Sequence, residues 1–403
     1  MKYVVFLGDG MADYPQDVLG GKTPLQLANK PFIDELAKSS EQGLCKTIPE
    51  GLKPGSDVAN LSVLGYNPKD CYTGRSPLEA ASIGIDLKDT DITARANLVT
   101  VSDESDYEDK TMVDYSAGEI STEEAKILIE YLAEKLNDQS RKLYAGVSYR
   151  HCLVVDKGTI AGDLTPPHDI TGKKVKGHLP TSERGKFYLD MMKKSYDLLK
   201  DHPVNIARIK AGKNPANSLW FWGEGSKPSL ENFYDRYGLK GGMISAVDLL
   251  KGIGKLTGMR VINVEGATGN YDTNFTGKAN ACIENLKDLD FVYIHMEAPD
   301  ECGHHGDAKH KIFSIGEISE KVVKPVVESL MAQGEEFNVL ICPDHPTPIS
   351  IMTHTSDPIP YLIYRSGKPF EGKTAKSYDE ASAKTTDIFV SSGVELMKRF
   401  LQK

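Results

Sequence analysis

Three short apolar runs in this chain each end in a turn whose side chains can bind a cation, and this recurrence constrains the fold more than any other feature. Residues 2–8 run into Asp9-Gly10, residues 289–294 run into His295 and then Asp300 and His304, and residues 339–342 run into Asp344-His345. Runs of this length, rich in β-branched and aromatic residues, read as buried strands. As neighbours in one parallel sheet they would deliver their polar ends to a single carboxyl-terminal rim, where open α/β sheets keep their sites. Further runs at Ser218–Gly223 and Met259–Val264, with a helix expected over 182–200, extend the alternation of strand and helix. The fold class is therefore α/β, a mostly parallel sheet flanked by helices.

Between residues 106 and 180 the pattern changes to short alternating strands, one helix and the turn-rich segment Thr165-Pro166-Pro167-His168-Asp169. This reads as a smaller α+β domain inserted into a core made of 1–105 and 181–403. Near the start, Thr23-Pro24 opens a helical stripe that includes Leu25, Ala28, Ile33 and Leu36. Residues 386–401 read as a closing amphipathic helix.

Charge and cysteine usage narrow the partners. A net charge of −9 leaves no basic footprint for nucleic acid. The six cysteines contain no C-x-x-C pair, and no apolar stretch reaches the roughly 18 residues of a membrane span. The reading is a reduced, cytoplasmic chain acting on a small molecule, with no nucleic-acid or membrane partner.

Six of the ten histidines lie between His295 and His354. Carboxylates and imidazoles without thiolates favour Mn²⁺, Zn²⁺ or Mg²⁺. Asp9, Asp300, His304, Asp344, His345 and His354 are too many ligands for one ion. They suit a pair of ions about 3.5 to 4 Å apart, the arrangement used for in-line phosphoryl displacement. Ser56 follows Pro54-Gly55 at the start of a short apolar stripe. It is either the cap of that helix or a nucleophile at a helix N-terminus, where backbone N–H groups stabilise an attached phosphate. Arg75, in Tyr72-Thr73-Gly74-Arg75, can hold a phosphate or lie on a solvated surface. His168 either belongs to a surface loop or reaches the main site.

The order Gly8-Asp9-Gly10, Pro54-Gly55-Ser56-Asp57, Asp300-x-x-Gly303-His304-x-Gly306-Asp307, Asp344-His345 and His354-Thr355 resembles the alkaline phosphatase superfamily. Within it, the chain is similar to the archaeal-type cofactor-independent phosphoglycerate mutases, a likeness that extends to Lys22-Thr23-Pro24-Leu25, Leu64-Gly65-Tyr66 and Gly266-Ala267-Thr268-Gly269. The resemblance implies that Ser56 forms a phosphoserine and ligates one metal with Asp9, Asp344 and His345. Asp300, His304 and His354 would hold the second metal. The inserted domain would be a substrate-binding cap, and 2,3-bisphosphoglycerate would not be needed. Two departures bear on the substrate. Where archaeal members carry D-R-R-A-G-R-I, this chain has Asp114-Tyr115-Ser116-Ala117-Gly118-Glu119-Ile120, and where they carry a lysine before the first aspartate ligand it has Glu297. Glutamates at Glu119 and Glu297 suit a substrate with an ammonium group, as in a bacterial branch proposed to be homoserine kinases. Alternatively Arg75, Arg95 and Arg150 replace the missing cations and the substrate is phosphoglycerate. A phosphomonoesterase or phosphodiesterase, in which water takes the phosphate, is the third reading.

Overall fold

The computed structural model describes residues 1–402. Among them the strands, in chain order, are β1 (Lys2–Gly8), β2 (Glu41–Cys45), β3 (Ile92–Val101), β4 (Met112–Asp114), β5 (Arg141–Val147), β6 (Arg150–Val155), β7 (Ser218–Ser226), β8 (Gly241–Ile244), β9 (Arg260–Ile262), β10 (Phe291–Met296), β11 (Phe337–Cys342), β12 (Ile359–Arg365) and β13 (Phe389–Val390). The chain divides into two compact units, one made of Met1–Tyr72 with Ser229–Lys403 and the other of Thr73–Pro228.

The first unit is built on an eight-stranded sheet in the order β13-β2-β12-β11-β1-β10-β8-β9. From β11 to β9 every pairing is parallel, and β12 and β2 add antiparallel pairings at one side. Buried on both faces, β1, β10 and β11 read in the sequence as continuous apolar runs, because neither side of such a strand meets water. One face carries Val4, Phe6, Val292, Ile294, Val339 and Ile341 into a core shared with the helices Phe275–Asn285 and Lys324–Gln333. The register places Gly8 beside Met296 and Leu7 beside Cys342, so the three strands end level with one another. That alignment brings the turns after β1, β10 and β11 to one rim.

The second unit holds a five-stranded antiparallel sheet in which β3 is flanked by β6, β7 and β4, and β5 pairs with β6. Its core draws on Leu128 and Leu132 of the helix Thr122–Leu136, Tyr188 and Met192 of the helix Lys186–Leu199, and Trp220 and Phe221 of β7. The unit is thus wider than the segment 106–180. Ser218–Gly223 lies in this antiparallel sheet and not in the parallel one, because a fully buried strand gives the same apolar run in either setting. Two smaller differences have local causes. Pro31 divides the stripe after Thr23 into Pro24–Leu27 and Pro31–Ala37, and the closing helix spans only Gly393–Leu401 because β13 precedes it. Among the described residues no helix is long and apolar enough to cross a membrane.

Candidate active site

Asp9 follows β1 directly and is 1% exposed. Gly10 then turns the chain at φ +59°, a conformation open to glycine, and a Cβ there would lie 2.6 Å from Asp300 Oδ1. The turn therefore needs glycine for its backbone and for the close approach of Asp300.

Ser56 is the first residue of the helix Ser56–Val63, with Gly55 at the cap position and no side-chain cap bond. Its hydroxyl instead faces His345, with Oγ 3.3 Å from Nε2. Gly55, and not Ser56, therefore holds the cap position of this helix. One turn on, the Asn60 amide donates to the Ser56 carbonyl at 2.8 Å and to Asp344 Oδ2 at 2.9 Å, while Tyr293 donates its hydroxyl to Asn60 Oδ1 at 2.6 Å. Residues four apart share a helix face, so Asn60 ties the serine to the end of β11. Asp344 Oδ1 accepts the amides of Gly10 at 3.1 Å and His345 at 2.8 Å.

Asp300 and His304 lie on one face of the helix Ala298–His304, with His304 Nε2 3.2 Å from Asp300 Oδ2. His304 Nδ1 donates to the Met352 carbonyl at 3.0 Å, which leaves Nε2 as the ligand nitrogen. His354 Nε2 lies 3.4 Å from Asp300 Oδ1 and 2.9 Å from His304 Nε2. Thr347 donates to the same Asp300 oxygen.

Three ligand groups result, with the ligand atoms of each within 4.8 Å of one another: Asp9, Asp344 and His345; Asp300, His304 and His354; and Asp9, Glu297 and Asp300. Two features test whether this donor set fits a divalent cation. Asp9 Oδ1 is buried without a hydrogen-bond partner, and two imidazole nitrogens point at each other across 2.9 Å. A cation satisfies both, and oxygen and nitrogen donors without sulfur match Mn²⁺, Zn²⁺ or Mg²⁺. The electrostatics agree. Burial, then Asp344, Asp300 and Glu297, push the Asp9 carboxyl well above the usual range. Burial also acts to raise Asp300, but hydrogen bonds from His304 and His354 hold it well below that range. His304 is raised to about 9 by its hydrogen bond to Asp300, and burial lowers His345.

The seven residues grouped as nucleophile and metal ligands therefore come together in the first unit, and Glu297 joins them beside Asp9 and Asp300. The other substrate candidates belong to the second unit. There Glu79 lies between Arg75 and Arg95, at 3.0 and 2.9 Å. Burial works to raise the Glu79 carboxyl, but Arg95, Arg75 and Arg150 together bring it below its ordinary value. The Arg95 guanidinium covers the Trp222 ring at 4.0 Å, and His168 meets the edges of Trp222 at 5.1 Å and Tyr115 at 6.1 Å. Arg150 lies over Tyr149 at 5.4 Å. Glu119 is exposed in a turn at φ +51°. Reading the sequence missed Asn60, Thr347, Glu79 and Trp222. Only Asn60 carries a signal, its four-residue spacing from Ser56.

The profile of the family described as 2,3-bisphosphoglycerate-independent phosphoglycerate mutase matches residues 37–205. A protein of that name from Methanosarcina barkeri is 51% identical over 98% of both chains. A probable one from Geobacter sulfurreducens is 45% identical over the full length of both. Among solved structures, a Pyrococcus horikoshii protein aligns with a TM-score of 0.83 at 29% identity, covering 100% of this chain and 97% of that one. The cofactor-independent phosphoglycerate mutase of Thermoplasma acidophilum aligns at 0.66 and 26% identity, covering 100% and 99%.

Proposed function

The chain belongs to the 2,3-bisphosphoglycerate-independent phosphoglycerate mutases, and on that premise we propose that it interconverts 2-phosphoglycerate and 3-phosphoglycerate through a phosphoserine on Ser56. The observation that carries this reading is the Ser56 hydroxyl, released from helix capping and set against His345 among Asp9 and Asp344. Ser56 Oγ loses its proton and bonds to phosphorus as the substrate's P–O ester bond breaks, and the departing glycerate oxygen takes up the proton the serine gave up. The other glycerate hydroxyl then attacks the phosphoserine, loses its proton and restores Ser56. Phosphate changes position with no net gain or loss.

Asp9, Ser56, Asp344 and His345 would hold one divalent ion, and Asp300, His304 and His354 the other. Bound there, such ions supply Lewis-acid charge that lowers the serine pKa and neutralises phosphoryl oxygens. Asn60 fixes the serine's backbone against Asp344, and burial keeps His345 neutral, the form in which imidazole ligates.

Three guanidinium groups around one carboxylate in the second unit favour an anionic substrate over an ammonium-bearing one. Arg75, Arg95 and Arg150 are proposed to receive the glycerate carboxylate or phosphate, with His168 beside them. Phosphorus NMR tests the assignment on Mn²⁺-loaded protein given 3-phosphoglycerate or, separately, ATP with homoserine. The expected product is 2-phosphoglycerate. Phosphohomoserine without isomerisation, or free phosphate alone, overturns the mutase reading. Ser56→Ala should abolish turnover, and surviving turnover removes the covalent step.

A further inference from the structure

Asp9 is held from one side only. Oδ2 lies 2.8 Å from His295 Nε2, while the partnerless Oδ1 lies 3.7 Å from His345 Nε2. The His295 ring is completely buried, and its Nδ1 lies 3.2 Å from Ser245 Oγ. These residues come from three adjacent strand ends, since β10 pairs with β8 on one side and β1 on the other.

The direction of the bonds follows from what each group can donate. An ionised Asp9 only accepts, so the ring proton belongs on Nε2 and Nδ1 is left to accept. Ser245 Oγ already accepts the Val247 amide at 3.0 Å, which frees its hydroxyl proton for Nδ1. Buried Lys278 donates to the His295 carbonyl at 3.0 Å and fixes the strand at this point. The chain of donation therefore runs from Ser245 through His295 to Asp9. No step of it serves a substrate, and it ends on one oxygen of a carboxylate whose other oxygen has no partner.

We infer that His295 is a positioning residue for a divalent cation: it engages Asp9 Oδ2 so that Oδ1 alone is presented as ligand, and Ser245 sets the tautomer that makes this possible. The inference rests on the proposal that Asp9, Asp344 and His345 hold such an ion. Without the imidazole N–H, Asp9 Oδ2 loses its donor, and nothing on that side fixes which carboxylate oxygen faces His345. Outer-sphere partners of this kind are worth about 10- to 100-fold in metal affinity.

The test is calorimetric titration of metal-stripped, full-length protein with Mn²⁺, with Asp9→Asn as the reference for loss of this site. Wild type should take up two ions. His295→Leu should weaken one of them about 10- to 100-fold and leave the other unchanged, and His295→Gln, whose amide places an N–H near the position of Nε2, should recover most of the loss. Ser245→Ala should weaken the same ion to a smaller extent. Wild-type affinity for both ions in His295→Leu overturns the inference, as does an equal loss in the Leu and Gln variants, which would indicate packing alone. If His295→Leu does not fold, judged by circular dichroism, Ser245→Ala decides: a weakened ion supports the inference and an unchanged one overturns it. Wild-type protein that takes up no Mn²⁺ overturns the metal proposal itself, and the inference falls with it.

Discussion

At Asp9, burial and three carboxylates act in the same direction. A carboxyl raised above its unfolded pKa costs stability at every pH above that unfolded value, about 3.9 for aspartate. Removing the charge removes the cost, so metal-stripped Asp9→Asn should be more stable than stripped wild type at pH 7, by roughly 1–2 kcal/mol. Added Mn²⁺ should reverse the order. Wild type gains about 2.7 kcal/mol per site at one hundred times Kd, and the variant loses that gain at the Asp9 site. Thermal melts with EDTA and with Mn²⁺ check both halves, and a variant that melts below wild type in EDTA counts against the crowding argument. His304 has the opposite linkage. Its folded pKa of about 9 lies above the unfolded value, so in stripped protein its contribution is complete below about pH 6.5 and is lost as pH rises through 9. A cation must displace that proton, so Mn²⁺ affinity at the Asp300–His304–His354 group should climb about tenfold per pH unit between pH 7 and 9 and then level off. A flat titration series over that range would contradict the assignment. Asp9, Asp300, His304, Asp344 and His345 were legible because they lie just past apolar runs, Ser56 because it opens an apolar stripe after Pro54-Gly55, and His354 because histidines concentrate between 295 and 354. His295 was visible at the end of such a run but its part was not, and Thr347 was missed altogether, since both hold another side chain and a single sequence does not show which side chains meet.

At the level of elements, the site depends on three parallel strands ending in register and on the turns that follow them. Gly10 is where this arrangement is tightest, with space for a Cβ closed off by Thr347 Oγ1 at 2.5 Å and Asp300 Oδ1 at 2.6 Å. Gly10→Ala should cost about 1–2 kcal/mol from the left-handed backbone alone. It should also displace Asp300 and so weaken Mn²⁺ binding at the group that Asp300 shares with His304 and His354. Chemical denaturation and Mn²⁺ titration read the two effects separately, and unchanged affinity would show that Asp300 can move aside freely. The rim itself could be read from the sequence, since strands buried on both faces appear as unbroken apolar runs. Sheet membership could not. β7 opens with a run of the same kind, Leu219–Trp222, and only its pairing with β3, far back along the chain, makes its sheet antiparallel. The boundary of the inserted region was drawn too narrowly for that reason, at 106–180 where the compact unit runs from Thr73 to Pro228.

At the level of the whole molecule, the two units differ in how the chain reaches them. The first is assembled from two separated stretches, whereas Thr73–Pro228 is continuous and has its own core, from Ala94 on β3 to Phe221 on β7. A segment of this kind has what a domain needs to fold alone. Both tryptophans of the chain, Trp220 and Trp222, lie in it, so intrinsic tryptophan fluorescence reports on this unit, whereas far-ultraviolet circular dichroism reports on both. The proposed metal ligands all lie in the other unit. The fragment 73–228 should therefore unfold cooperatively in urea with a fluorescence midpoint that Mn²⁺ does not move, while in the full chain Mn²⁺ should raise the circular dichroism transition. Non-coincident fluorescence and dichroism curves in the full chain would follow from the same division. A fragment without a cooperative transition would mean that the antiparallel sheet depends on the rest of the chain for its stability, and a Mn²⁺-dependent midpoint in the fragment would put a cation site where the ligand geometry places none.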